Sequence, residues 1–282
     1  MKLGVITDCF KKNFYDSVIL ASEMGFDGVQ VYATTGEFSP DSLLAQDIAR
    51  LRDHLRSHHL VISALCGDMG GHGFEIEADN PDRIEKTKRI IDLAVAFDTK
   101  VVTTHIGVIP DDPECDKYRV MLAALSECGR YAAERGVTMA IETGPEMADV
   151  LFGFVNAAGD GVGVNLDPAN FVMVTGQDPA AAVRLLGKKI VHTHVKDGKM
   201  LRKTDPVVIY DHFADGGIEA LNVSDYFIET PVGSGDVVWD DYIAALRGIG
   251  YDGYLTIERE TGEKPVSDIK IAADFIRANN YL

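Results

Sequence analysis

The sequence lacks the features that would place the chain in a membrane or outside the cell. It has no run of about 18 apolar residues, so no segment is predicted to span a membrane. No apolar leader with a small-residue cleavage site precedes the first strand-like segment. The four cysteines, Cys9, Cys66, Cys115 and Cys128, form none of the close pairs of a disulfide framework or zinc site. We therefore expect a cytoplasmic protein.

Basic residues are also scarce. The chain has 27 Lys and Arg against 44 Asp and Glu, a formal net charge of −17, and no basic cluster. This charge repels phosphate backbones, so nucleic acid is not an expected partner. What remains, with 46% hydrophobic and 25% charged residues, is the composition of a soluble globular protein.

Strand-like and helix-like segments alternate along all 282 residues. The predicted strands are Leu3–Thr7, Gly28–Tyr32, Leu60–Cys66, Lys100–His105, Val137–Glu142, Gly161–Asp167, Ile190–Asp197 and Gly253–Glu258. Eight such units predict an α/β fold, a (β/α)8 TIM barrel formed by residues 1–282 as one domain. An open doubly wound sheet is the alternative, but Thr7–Lys12 is not the glycine-rich turn that such folds carry after the first strand.

Two segments depart from this regular pattern. Residues 198–238 show no sustained helical or strand period, and we interpret them as a lid-like insertion that covers a substrate; a contact within a homo-oligomer is the alternative. The loop Gly67–Gly73 contains four glycines and His72, which favours either a close backbone approach to a ligand or a flexible surface turn.

Polar residues occupy the inward-facing positions of four predicted strands. In the seventh strand His192, His194 and Lys196 share one face, and in the fifth, sixth and eighth the apolar residues alternate with polar ones. The inward series end, at the carboxyl ends of the strands, in Glu142, Asp167, His194 and Glu258. Because barrels of this type hold their active sites at that end, we expect these four side chains to converge.

Three converging carboxylates repel one another and need a compensating positive charge. A divalent cation supplies it, and oxygen ligands with a single imidazole suit Mn²⁺, Mg²⁺, Co²⁺ or Zn²⁺. The alternative is that each acid separately caps a helix or lies at a solvated strand end.

The whole chain resembles the xylose-isomerase-like TIM barrels, the sugar phosphate isomerase and epimerase family that includes inosose isomerase, hydroxypyruvate isomerase and tagatose 3-epimerase. The matching segments are Ile141-Glu142, Leu166–Asn170, His192–Asp197, Val232–Gly235 and Ile257-Glu258. The resemblance implies that Glu142, Asp167, His194 and Glu258 bind one divalent metal ion.

The resemblance further implies an enzyme of carbohydrate metabolism: a metal-dependent isomerase or epimerase of a sugar, cyclitol or keto-sugar derivative. Proton transfer would pass through a metal-stabilised ene-diolate, with Glu142 and Glu258 as the acid/base pair. The implied substrate contacts are His72, His105, Asn170, His192 and Lys196; for His192, which would lie one layer deeper than the metal, support of the metal ligands is the alternative. For Lys196 a salt bridge to one of the acids is the alternative.

Two positions differ from the tagatose-type epimerases, which have a histidine where this chain has Asn170 and an arginine where it has Met200. The resemblance therefore does not extend to their contacts with a free ketohexose. Two other functions stay open: a metal-dependent lyase or dehydratase acting on a keto-sugar or inosose, and a non-catalytic sugar-binding barrel. Cleavage of abasic DNA is disfavoured by the net charge of −17.

Overall fold

A closed barrel of parallel strands lies at the centre of the protein. The computed structural model describes residues 1–216 and 221–282. Its strands are β1 (Lys2–Ile6), β2 (Gly28–Tyr32), β3 (Val61–Cys66), β4 (Val101–Thr104), β5 (Thr138–Glu142), β6 (Val162–Leu166), β7 (Ile190–Val195), β8 (Asp197–Met200), β9 (Phe227–Thr230) and β10 (Tyr254–Ile257). The barrel order is β1-β10-β7-β6-β5-β4-β3-β2, which confirms the predicted (β/α)8 fold.

Helices surround the barrel, as crossovers between parallel strands require. They are α1 (Phe14–Glu23), α2 (Ala45–Ser57), α3 (Asn80–Ala96), α4 (Asp116–Ala133), α5 (Ala148–Ala158), the single turn α6 (Pro168–Asn170), α7 (Pro179–Leu186), α8 (Pro206–Ala214), α9 (Trp239–Gly248) and α10 (Pro265–Ala278). One apolar core joins the outward faces of the strands to the inner faces of the helices, as at Leu3, Leu255 and Ile276. Each such aliphatic side chain contributes roughly 1.5–3 kcal/mol by leaving water.

Membrane-spanning segments and disulfide bonds, neither of which the sequence predicts, are the two features that bear on the cell compartment. No helix in the described ranges is long and apolar enough to cross a membrane. All four cysteines are free thiols, and Cys9, Cys66 and Cys128 are buried. The cytoplasmic location stays a prediction.

An irregularity in β7 sets the direction of its histidines. Val164 pairs with Ile190 while the next residue, Asn165, pairs with His192, so one extra residue is inserted in β7. Neighbours in register point to the same side of a sheet, so Ile190 lies on the outward side with Val164 and His192 lies inside with Asn165. Strict alternation would have put Ile190 and His192 on one face.

Residues 198–238, which show no sustained period in the sequence, contain regular elements in the part described. β8 and β9 pair as a two-stranded antiparallel sheet, and α8 lies between them in the chain. Their patterns are hard to recognise because each strand has four residues and α8 buries only Ile209 while Val208 and Phe213 are exposed. Residues 217–220, which belong to the predicted lid, lie outside the described residues.

Candidate active site

The four residues predicted to converge do meet in the structure. Glu142 ends β5, Asp167 directly follows β6, His194 lies near the end of β7 and Glu258 directly follows β10. These strands are consecutive in the barrel, and all four side chains are buried at its carboxyl end. One ligand atom from each lies within 4.8 Å of the other three.

The spacing of these atoms suits a single ion. His194 Nδ1 lies 3.2 Å from Glu258 Oε2, 3.4 Å from Asp167 Oδ2 and 3.5 Å from Glu142 Oε1. Two ligands that are each about 2.1 Å from a metal lie about 3.0 Å apart at octahedral angles and about 3.4 Å apart at tetrahedral ones. The donor set, three carboxylates and an imidazole, is the one expected for a hard or borderline divalent cation.

Two atoms of the cluster lack the partner that burial requires. Asp167 Oδ2 and His194 Nδ1 are both buried without a hydrogen bond. The other carboxylate oxygen of Asp167 accepts from the backbone N–H groups of Ala169 and Asn170, at 2.7 and 3.1 Å, and so caps α6. Because an unsatisfied buried polar atom costs about 1–3 kcal/mol, a cation bound by both atoms would remove a real penalty. The residues therefore fit a metal ion.

The electrostatics of the cluster favour positive charge. Burial opposes ionisation of His194, but the carboxylates of Glu258 and Glu142 outweigh it and raise the imidazole pKa well above its usual value. Burial raises the pKa of Asp167 to about 6. For Glu258, burial is outweighed by the charges of Lys196 and His194, which hold the carboxyl pKa well below its usual value. A field that attracts a proton this strongly also attracts a cation.

A glutamine missed in the sequence supports the cluster from below. The Gln30 amide donates to Thr103 Oγ1 at 3.1 Å, and its oxygen Oε1 lies 2.9 Å from His192 Nε2 and 3.2 Å from His194 Nε2. The signal was present, since Gln30 is the one polar side chain alternating with Val29 and Val31 in β2.

His192 lies in this deeper layer. It also contacts Thr256 Oγ1 at 3.0 Å, is buried, and does not line the cavity above the cluster. Burial, together with the charge of His194, lowers the pKa of His192 to about 3, so its imidazole is neutral. Its placement supports a positioning role rather than the predicted contact with substrate.

A cavity of about 330 Å³, here called the metal cavity, opens above the cluster. Glu142 and Glu258 line it, and so do four of the five predicted substrate contacts, His72, His105, Asn170 and Lys196. Gly70 and Gly71 of the glycine-rich loop also line the cavity. Gly73 must be glycine, since its φ is +57° and a Cβ would lie 2.0 Å from the Ile106 carbonyl carbon. The loop is therefore a packed wall of the site.

His105 forms a charged pair inside the metal cavity with Asp68, which the sequence did not reveal. His105 Nδ1 lies 3.2 Å from Asp68 Oδ2, and its Nε2 lies 3.8 Å from Glu142 Oε1. Burial lowers the imidazole pKa, but the charges of Glu142 and Asp68 more than offset it and raise the pKa to about 10. The cationic ring faces one of the two glutamates.

Lys196 makes the salt bridge that the sequence left as an alternative. Its Nζ lies 3.0 Å from Glu258 Oε2 and 4.0 Å from Asp167 Oδ2, and it also contacts Glu260. Asn170, which also lines the metal cavity, donates from Nδ2 to the carbonyl of Thr143 at 3.0 Å. These contacts hold both side chains in place on the cavity wall.

Helix α8 supplies the outer wall of the metal cavity. Tyr210, Asp211, Phe213 and Ala214 line it, and His72 Nε2 lies 3.0 Å from Asp215 Oδ1 where the glycine-rich loop meets the end of this helix. The region predicted as a lid therefore borders the site. Whether it moves to cover a substrate stays a prediction.

Known proteins were compared with the chain. A family model described as "Xylose isomerase-like TIM barrel" matches residues 18–279. The protein YfiH of Bacillus subtilis (strain 168), described as uncharacterized, is 25% identical over 304 aligned positions, covering 92% of this chain and 93% of its own.

Three solved structures share the fold. A xylose isomerase domain protein from Planctomyces limnophilus superimposes with a TM-score of 0.78 at 23% identity, covering 98% of this chain and 95% of its own. The probable 3-DHS dehydratase AsbF of Bacillus anthracis superimposes with a TM-score of 0.75 at 20% identity, covering 98% of this chain and 99% of its own. A D-psicose 3-epimerase superimposes with a TM-score of 0.69 at 18% identity, covering 96% of this chain and 90% of its own. At these identities the likeness concerns the fold alone.

Proposed function

The chain belongs to the family of xylose isomerase-like TIM barrels, and from this premise we propose that it is a divalent-metal-dependent isomerase or epimerase of a sugar, cyclitol or keto-sugar derivative. One observation carries the proposal: Glu142 and Glu258 belong to the buried cluster of Glu142, Asp167, His194 and Glu258 that could hold a cation, and both also line the metal cavity. Two carboxylates that reach the same bound substrate from strands separated by two others can exchange a carbon proton between them.

In this mechanism the protein positions the substrate and moves a proton. One glutamate accepts the proton from the carbon next to the substrate carbonyl, and the other returns it to the same or the neighbouring carbon. Lys196 holds the carboxylate of Glu258 in place, and the imidazolium of His105 stabilises negative charge near Glu142. A divalent ion held by Glu142, Asp167, His194 and Glu258 would supply the positive charge that stabilises the ene-diolate.

The lining favours a small uncharged polyol over a phosphorylated one. Asp68, Glu75, Asp211 and Glu260 line the metal cavity, and the ammonium of Lys196 is already paired with carboxylates. A phosphate group would meet more negative than positive charge. His72, His105 and Asn170 also line this cavity, and their side chains carry the polar atoms that can form hydrogen bonds to sugar hydroxyls.

Solvent exchange tests the proposal. With Mn²⁺ present, the wild-type protein should incorporate deuterium from D₂O into at least one member of a panel of ketoses and inososes. At an Mn²⁺ concentration that saturates the variant, Glu142→Gln should bind the same compound with similar affinity and lose exchange by at least about a hundredfold. Glu114→Gln, a change of an exposed side chain, is the control that should keep full exchange. Absence of exchange from the whole panel, with Glu142→Gln binding like wild type, would support a non-catalytic sugar-binding barrel instead.

A second candidate reaction is elimination, which a probable dehydratase with the same fold is named for. The same carbanion-like state can expel a substituent from the adjacent carbon instead of regaining a proton. Mass spectrometry separates the two reactions, because isomerisation conserves mass while elimination loses water or another leaving group.

A further inference from the structure

A second cavity, of about 380 Å³, lies beside the metal cavity and has a different lining. Apolar side chains dominate it: Met173 and Val174 from the helical turn after α6, Phe227 and Ile228 from β9, and Phe213 from α8. We call it the apolar cavity. Phe213 and Ile228 are 56% and 42% exposed although both line a concave site.

The two cavities share one wall. Asn170, Lys196, Tyr210, Phe213 and Glu260 line both. Asn170 Nδ2 lies 3.5 Å from Glu142 Oε1, and Lys196 Nζ lies 3.0 Å from Glu258 Oε2. Asn170 and Lys196 therefore separate the apolar cavity from the two proposed acid/base residues. A substituent on a sugar bound beside Glu142 and Glu258 has only to pass these two side chains to enter the apolar cavity.

The charged groups of the apolar cavity are already satisfied. The Glu229 carboxylate accepts from Arg259 Nη1 at 2.7 Å and from the backbone N–H groups of Glu260 and Thr261 at 3.2 and 3.1 Å. Lys196 is held by Glu258 and Glu260. A ligand in this space gains by covering apolar carbon, and the phenyl rings of Phe213 and Phe227 and the thioether of Met173 suit an aromatic ring.

We propose that the apolar cavity is a subsite for an aromatic substituent of the substrate, whose sugar-like part occupies the metal cavity. The inference rests on the proposed function for the identity of that sugar-like part. It narrows the substrate class from free sugars to sugar derivatives that carry an aromatic group. The natural substrate would then be supplied by a reaction that forms or oxidises such a conjugate.

Paired ligands test the subsite. Methyl and benzyl ethers of D-fructose, substituted at C1 or at C6, are titrated calorimetrically into Mn²⁺-loaded protein. At least one benzyl ether should bind about tenfold or more tightly than its methyl partner, because covering a ring with apolar carbon gains more than about 1.4 kcal/mol. Ile228→Asp, which puts a charge into the apolar cavity, should reduce that preference to within about threefold.

Leu201→Asp is the matched control. Leu201 directly follows β8, is 55% exposed and lines neither cavity. This variant should therefore keep the wild-type preference. Equal binding of benzyl and methyl ethers, absence of binding by any of them, or a preference that survives Ile228→Asp overturns the subsite. Deuterium exchange on simple ketoses reports separately on the proposed function. A benzyl preference without exchange supports the subsite alone, and exchange without a benzyl preference supports the reaction alone.

Discussion

Gln30 Oε1 lies 3.2 Å from His194 Nε2 and determines which nitrogen of that imidazole is free. The Asn165 amide nitrogen lies 3.2 Å from the same Nε2 and donates to Glu142 Oε2 at 3.1 Å, so Gln30 Oε1 is the hydrogen-bond acceptor that Nε2 faces. In the neutral imidazole that a metal ion would bind, His194 Nε2 therefore carries the proton and donates it to Gln30, which leaves the lone pair of Nδ1 for the ion, on the side of the three carboxylates.

Replacing Gln30 should therefore weaken metal binding without touching a ligand. We expect Gln30→Leu to raise the Kd for Mn²⁺ or Zn²⁺ by about 10–100-fold, since the imidazole loses the acceptor that fixes its orientation. Gln30→Glu keeps an oxygen there and should bind metal at least as well as wild type. Competitive calorimetry at pH 7.5 measures both, with the exposed Gln46→Leu as control. Equal Kd values for Gln30→Leu and Gln46→Leu would contradict this role.

Alternation along the strands was enough to predict that Glu142, Asp167, His194 and Glu258 converge, because it fixes which side chains enter the barrel and where each strand ends. It does not fix depth: His192 precedes His194 by two residues, a rise of about 6.6 Å, and so lies below the cavity. Asp68 could not be predicted, because a loop places it against His105. The pairing of β8 with β9 could not be predicted either, since it joins two four-residue segments that are far apart in sequence.

Metal binding should stabilise the fold. At a free ion concentration of about 100 times Kd, the free energy of unfolding should rise by about 2.7 kcal/mol, which is roughly 5 °C in Tm. Asp167→Asn keeps the oxygen that caps α6 but loses a ligand charge, so it should lose most of this response. Without metal the variant should be at least as stable as wild type, since Asp167 Oδ2 makes no hydrogen bond. Thermal melts with and without a chelator check both; an Asp167→Asn response equal to wild type would contradict the ligand assignment.

Glu146 should make stability depend on pH. This side chain is 6% exposed, and burial raises the pKa of its carboxyl to about 7. Because the folded pKa lies above the unfolded one, the contribution of Glu146 is fully present below about pH 4.5 and is lost as the pH rises through 7. Glu146→Gln should therefore be up to about 3 kcal/mol more stable than wild type at pH 8 and equal to it at pH 4. Urea unfolding at both pH values measures the difference, and the exposed Glu134→Gln should show no such trend.

Asp197 should be among the residues most important for stability outside the active site. Its carboxylate accepts from the backbone N–H groups of Gly198, Gly233, Gly235 and Val237 and from Trp239 Nε1, at 2.9–3.2 Å. It thereby ties the start of β8 to the segment that leads into α9. In Asp197→Asn an amide N–H₂ would face donors instead of accepting from them, so the free energy of unfolding should fall by about 2–4 kcal/mol.

Urea titration of Asp197→Asn against the exposed Asp53→Asn measures that loss. Gly235→Ala tests the same junction from the other side, because its Cβ would lie 1.9 Å from Asp197 Oδ1 and push the carboxylate off its donors. The double variant should lose little more than the worse single one, since both changes break the same set of hydrogen bonds. Additive losses would mean that Gly235 and Asp197 stabilise the protein independently, contrary to the shared network.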